Sequence, residues 1–279
     1  VGTPRVSPDG DWVAYTVSQL DIDADRSDTD IFMSSLSDPA EDAIRLTTSD
    51  RSETAPRWSP DGRYLGFLSS RDDEGTEVWI LDRRGGEATR LTNYEGNVSA
   101  FSWSPDATKL VVVVRDPKPD VSNEDDTPQP IVVTRLQIKR DGQGYLTNQY
   151  RHLYLFDVRT KESIQITDGP YDDVSPAWSP DGVRLVFVSN RTEVPDSNAN
   201  TDIFLMEAGA DAPLHQLTDS QGSDNSPTFS PEGNFVAYVA GGDPADIWYA
   251  PRTKEDMEEI LIEHIQNNRP VEKLIISYK

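Results

Sequence analysis

Cysteine is missing from this 279-residue chain, which excludes disulfides, thiolate nucleophiles and cysteine metal sites. Histidine is scarce, with only His152, His215 and His264. No apolar run approaches the roughly 18 residues of a spanning helix, and no secretory leader is visible, so no membrane is expected as a partner. The sequence starts at Val1 rather than Met, which leaves a targeting segment ahead of it open. Basic residues are outnumbered, 26 Lys and Arg against 49 Asp and Glu, for a net charge of −23. A surface that acidic repels phosphate backbones and excludes nucleic acid, and its simplest role is solubility. Neither the charge nor the lack of cysteine decides between the cytoplasm and the periplasm of a bacterium.

Turn formers are plentiful, with 20 Pro and 17 Gly against 35% hydrophobic residues, and they recur in order. Ser7-Pro8-Asp9-Gly10, Ser59-Pro60-Asp61-Gly62, Ser104-Pro105-Asp106-Ala107, Ser179-Pro180-Asp181-Gly182 and Ser230-Pro231-Glu232-Gly233 are five copies of one turn. The proline pre-sets φ at the second position, the acid suits the third, and glycine accepts the left-handed conformation that follows. Ala107 stands where glycine is wanted and makes the third copy the strained one. Val6, Trp58, Trp103, Trp178 and Phe229 precede the turns, and a β-rich run follows each. Two more short strands complete a repeat, such as 77–81 and 89–92 in the second copy or 202–206 and 215–218 in the fourth. Four short strands at a period of roughly 40 to 50 residues predict an all-β protein, a β-propeller.

The third repeat is stretched by an insertion, 116–150, that begins in a Pro- and Asp-rich run. Loops at 19–29 and 190–201 join the same pair of strands in repeats one and four, so all three are expected on one face. The fifth repeat has strands ending at Val239 and Tyr249 but no fourth strand. From Thr253 the pattern turns helical, with Met257, Ile260, Leu261, His264 and Ile265 on one face. The division expected is a propeller over 1–250 and a helical tail over 251–279. The helix face is expected to pack on the last blade, and the run around Ile275 either to supply the missing strand or to lie disordered.

The repeats resemble the TolB-like propeller repeat. Three stretches are narrower: 2–10, the insertion from Pro130 through Tyr145, and 241–250. They resemble bacterial acylaminoacyl-peptidase-like members of the prolyl oligopeptidase family. That resemblance implies five blades of a propeller of seven or eight, capping an α/β-hydrolase domain with a Ser-Asp-His triad. The implied partners are that hydrolase domain and short peptides as substrates.

The triad transfers onto no residue of this chain, because no G-x-S-x-G elbow is present, and no catalytic residue or cofactor is expected. His152 and His215 fall in repeat strands and are read as packing or surface residues. The acidic run from Asp21 to Asp30 has Arg26 and Phe32 where a calcium loop needs Gly and Glu, so no metal site is expected. Glu258-Glu259 is set aside, since the motif around a dipeptidyl peptidase's amine-binding glutamates is missing. The glycosylation patterns at Asn97 and Asn190 mean nothing without a secretory context. Arg135, Lys139, Arg140 and Arg151 make the insertion locally basic. They are candidates to hold a substrate carboxylate or a partner's acidic surface, with pairing to neighbouring Asp residues the simpler reading. The leading function is a non-catalytic gate for short peptides in a serine peptidase. The rivals are a TolB-like protein-interaction module and a five-bladed glycosidase, which would need paired carboxylates on the channel.

Overall fold

The computed structural model describes residues 1–22, 26–38, 42–117, 136, 138–140, 144–146, 148–220, 222–241, 248–249 and 275–277. Three of the repeats that the turns announce are uninterrupted four-stranded antiparallel sheets. Blade one is β1 (Gly2–Val6), β2 (Trp12–Asp21), β3 (Arg26–Ser35) and β4 (Ile44–Arg45), in that spatial order. Blade two is β5 (Glu53–Trp58), β6 (Tyr64–Ser69), β7 (Glu77–Asp82) and β8 (Thr89–Arg90). Blade three starts with β9 (Asn97–Trp103) and β10 (Lys109–Arg115). The insertion follows with its own hairpin, β11 (Lys139–Arg140) and β12 (Gly144–Tyr145), and the blade closes with β13 (Arg151–Asp157) and β14 (Ser163–Gln165). Blade four is β15 (Asp173–Trp178), β16 (Arg184–Ser189), β17 (Asp202–Glu207) and β18 (His215–Gln216). Among the described residues, blade five pairs β19 (Asp224–Phe229) with β20 (Val236–Ala240).

The expected loop at 19–29 is a correction. Here β2 and β3 run on as a ten-residue ladder to the pair Asp21 and Arg26, and Ser18 and Thr29 bond across it at 2.9 Å. The loop at 190–201 holds a single 3-10 turn, Pro195–Ser197. Residues near Ile275 do form a strand. There β22 (Ile275–Ser277) pairs antiparallel with β21 (Trp248–Tyr249), in a sheet separate from β19 and β20. The helix expected from Glu255 to Gln266, with Met257, Ile260, Leu261, His264 and Ile265, lies outside the described residues.

Each turn is held by its serine. Ser59 Oγ donates to Asp61 at 2.5 Å and accepts from the Tyr64 N–H at 2.9 Å, while the Gly62 N–H closes on the Ser59 carbonyl at 2.8 Å. Ser7, Ser104 and Ser179 repeat all three contacts, and Ser230 keeps the two backbone ones. Gly10, Gly62, Gly182 and Gly233 have φ of 78°, 67°, 70° and 72°, and Ala107 takes the same conformation at 59°. The turn prolines face forward. A Cβ placed on Gly62 would lie 3.8 Å from Pro8 Cδ, one on Gly182 3.5 Å from Pro105 Cδ, and one on Gly233 3.3 Å from Pro180 Cδ, so these three turns rest on the preceding blade's proline.

The second strands of blades two, three and four are apolar on both faces because each is sandwiched between two inter-blade cores. Alternation divides β10: Leu110, Val112 and Val114 pack with Leu68 and Val78 of blade two and with Phe101 of blade three itself, while Val111 and Val113 meet Leu185 and Phe187 of blade four. In β6, Leu65 and Phe67 pack toward Ala14 and Ile31 of blade one, and Leu68 toward blade three. Gly66 lies between them because a Cβ there would sit 2.9 Å from the Phe101 ring.

Two tests address these turns. Gly182→Val should lower unfolding free energy by about 1–2 kcal/mol, and Ala107→Gly should raise it by about 0.5–1 kcal/mol, both read by chemical denaturation. Unchanged midpoints in both variants would refute the left-handed assignment. The Asp9 carboxyl, bonded first by Ser7 and next by Arg83, is lowered from 3.8 to about 2. A depressed folded pKa contributes stability above the unfolded value that is lost as pH falls through the folded one. Stability should therefore decline between about pH 4 and 2, and Asp9→Asn should decline less across that window, as followed by acid titration of the circular dichroism signal.

Candidate functional site

The first strands of successive blades lie beside one another, β1 by β5, β5 by β9, β9 by β15 and β15 by β19, so they form the wall around the axis. Every one is bulged, with one more residue than the second strand it pairs with. In four of them the bulge residue stands directly before a proline with left-handed φ: Thr3 at 45°, Ala55 at 51°, Ser175 at 52° and Ser226 at 55°. Such a conformation costs a non-glycine residue on the order of 1–2 kcal/mol. In β9, which has Ala100 in place of the proline, Ser99 is the extra residue and its hydroxyl bonds the Val113 carbonyl at 3.3 Å.

Bulges turn side chains out of the regular alternation, and here they border an open cavity of about 590 Å³. Its wall takes Arg5 from β1, Arg57 from β5, Ser99 to Ser102 from β9, Val174 to Pro176 from β15 and Ser226-Pro227 from β19, joined by Val113 and Arg151. Not one carboxylate lies among these residues, although the chain has 49. Arg5 and Arg57 occupy the same repeat position, directly before Val6 and Trp58. Their neighbourhood is fixed by an indole, since Trp58 Nε1 donates to the Arg5 carbonyl at 3.0 Å. Trp178 makes the corresponding bond to the Ser102 carbonyl at 3.2 Å. Arg5 bonds the Pro4 carbonyl at 3.1 Å and Arg57 the Pro56 carbonyl at 3.0 Å, and neither forms an ion pair among the described residues. Burial, and next the charge of Arg5, lower the pKa of the half-buried Arg57.

Elsewhere arginines hold buried carboxylates. Arg71 pairs with Glu53 at 2.8 Å, Arg191 with Asp173 at 2.9 Å and Arg45 with Asp30 at 2.6 Å, and Arg90 reaches Glu77 and Asp72. Asp173 is nonetheless raised, because burial outweighs the pull of Arg191. Asp224 occupies the place of Glu53 and Asp173 in blade five and is fully buried, yet neither carboxylate oxygen has a partner among the described residues. A second cavity of about 590 Å³ at Ser49, Asp50, Arg51, Arg71 and Asp73 has its cations already closed on carboxylates.

Of the four basic candidates from the sequence, Arg151 reaches the channel. It is the first residue after the insertion and is clasped by Asp172 at 3.1 and 2.9 Å, so the simpler pairing reading describes its local contacts. Lys139 lies exposed on β11, Arg140 follows it in the same strand, and Arg135 lies outside the described residues. His152 is buried at the start of β13, its Nε2 3.6 Å from Asp116, where the other blades place Asp30, Glu77 and Asp202. His215 is exposed on β18, and no described set of three His, Asp or Glu side chains could hold a metal. Sequence reasoning missed Arg5 and Arg57. The available signal was an arginine at the same repeat position in two adjacent blades.

A family model for the TolB beta propeller domain matches residues 145–273. The uncharacterized peptidase YuxL of Bacillus subtilis is 34% identical over 211 residues, 74% of this chain and 32% of that protein. Dipeptidyl-peptidase 5 of Porphyromonas endodontalis is 24% identical over 260 residues, 86% of this chain and 37% of that protein. The chain thus spans about a third of the length of these two curated relatives. Pyrococcus horikoshii acylaminoacyl peptidase superposes with a TM-score of 0.59 at 16% identity, covering 86% of this chain and 39% of that one, a likeness of fold. With its blades, its turns and these similarities in view, the chain is a β-propeller of TolB-like repeats, related to the propeller domains of peptidases.

Proposed function

We propose that this chain is the propeller portion of a prolyl-oligopeptidase-like serine peptidase, and that it gates the access of short peptides to an α/β-hydrolase domain lying outside this sequence. The observation that carries the reading is the pattern of similarity. A peptidase of 34% identity aligns along most of this chain while most of its own length lies elsewhere. The channel suits the role, because an opening of about 590 Å³ between rigid blades admits an extended peptide and turns away a folded protein. The chemistry would belong to the other domain, as G-x-S-x-G is not found in these 279 residues.

The TolB family match favours a second reading, a propeller that engages a protein partner through its loop-rich face. Function must be argued from the site rather than the fold, and activity separates the two. The chain alone should hydrolyse neither aminoacyl nor N-acylaminoacyl chromogenic substrates. The longest protein encoded in frame at the locus should hydrolyse them, be blocked by a fluorophosphonate, and cleave short peptides in preference to long ones. Fluorophosphonate labelling of a serine within this chain would overturn the division of labour. A long protein without peptidase activity would favour the interaction module, and one indifferent to substrate length would remove the gate.

A further inference from the structure

The channel wall raises a question that gating does not answer. Two cations without an acid partner among the described residues, Arg5 and Arg57, border this cavity from adjacent strands in a chain with 23 excess negative charges. Like charges placed together destabilise a fold unless a ligand or a counter-charge offsets them. The counter-charge is conspicuous elsewhere. Glu53, in the same strand as Arg57, is bound to Arg71, and Asp172 holds Arg151 through both oxygens. For Arg5 and Arg57 the described residues offer only backbone carbonyls, each from the proline just before. Both prolines follow the left-handed residue of a bulge, and the Trp58 indole locks the two backbones at one spacing. The arginine pair is thus held in place by strained backbone and an inter-blade bond, while its guanidinium donors pair with no acid among the described residues.

We propose that Arg5 and Arg57 form a carboxylate-binding site on the wall of the channel, which takes the free carboxylate of a peptide entering it. A guanidinium presents its N–H groups in a planar fork that fits a carboxylate, and the bond is strengthened by charge on both sides. The serines on the same wall, Ser99, Ser102, Ser175 and Ser226, add neutral hydrogen-bonding groups without adding charge. The acidic surface elsewhere repels anions, so a peptide acid is drawn to the stretch of wall where these arginines lie and no carboxylate is among the lining residues. This proposal rests on the channel being a peptide route, and it narrows that reading to peptides with an exposed carboxylate.

The test is equilibrium binding to this chain, with no hydrolase involved, so its failure is separable from failure of the gate. N-acetyl-trialanine with a free C-terminus and its C-terminal amide are titrated by calorimetry, with the arginine Nε–H signals followed by NMR. The acid should bind at least about tenfold more tightly than the amide and shift the Arg57 signal. An N-acetyl peptide amide with one internal Glu distinguishes a side-chain carboxylate from a C-terminal one. Binding by either supports the site and assigns its source. Arg57→Ala and Arg5→Ala should each lose at least about tenfold, and Arg57→Lys should retain part of the affinity. Arg5 is exposed, so Arg5→Ala carries the test if Arg57→Ala does not fold. Equal binding of acid and amide, undiminished binding in a folded Arg5→Ala variant, or tighter binding of inorganic phosphate than of the peptide acid would each overturn the proposal.

Discussion

The serine hydroxyl at the head of each turn is the contact on which the blades depend. It is buried in four copies, Ser7, Ser59, Ser104 and Ser179, and there it donates to the acid two residues on and accepts the N–H that starts the second strand. A buried hydroxyl without those partners would carry an unmet desolvation cost, so the turn and the hairpin form together. Once the turn is set, its proline becomes a surface for the next blade's glycine, and the local bond becomes a ring-building one. A second repeated bond acts farther from the axis. Thr47, Thr92, Thr167 and Thr218 each accept the N–H of a third-strand residue at 2.9 to 3.0 Å, fixing the short outer strand against its neighbour.

Charge is sorted by position within the blades. Buried acids at the strand starts, Glu53, Glu77 and Asp173, are each matched by an arginine from a neighbouring strand or loop. Breaking such a pair from one side leaves an uncompensated buried charge, so these arginines belong to the fold rather than to a site. The described residues that border the cavity follow the opposite rule, with arginines and no acids among them. That contrast assigns different work to residues of one type, and proximity in sequence would not have separated them.

Much of this was legible in the repeats. Five turn signatures placed the blades, and the Leu-Thr or Ile-Thr pairs marked the outer strands, because each depends on bonds within a few residues or within one hairpin. The left-handed Ala107 was legible for the same reason. What could not be read was the aim of a side chain. The bulge before Arg5 and Arg57 hinges on a proline preceded by a residue that sequence rules place in the extended region, and Thr3 and Ala55 take the left-handed one instead. Arg151 was singled out for its basic neighbourhood, but its place on the channel wall comes from the pairing of β13 with β10, 36 to 48 residues apart. The loop expected at 19–29 gave way to strand over 19–21 and 26–29, where the cross-strand pairing of two polar segments has no apolar pattern to announce it.

Four of the inner strands carry a proline beside their bulge: Pro4, Pro56, Pro176 and Pro227. These strands are the free edges of their sheets, and successive ones lie side by side along the wall. Regular edges at that spacing would be templates for pairing, and a ring of them could zip shut across its own axis or capture an extended chain by its backbone. A kink, and a residue with no N–H to offer, make each edge a poor template. The opening therefore stays an opening for a chemical reason, and whatever passes along it is met by side chains rather than stitched into a sheet. Only β9 among the five lacks that proline, which makes it the one wall where a passing backbone could find a ladder to join.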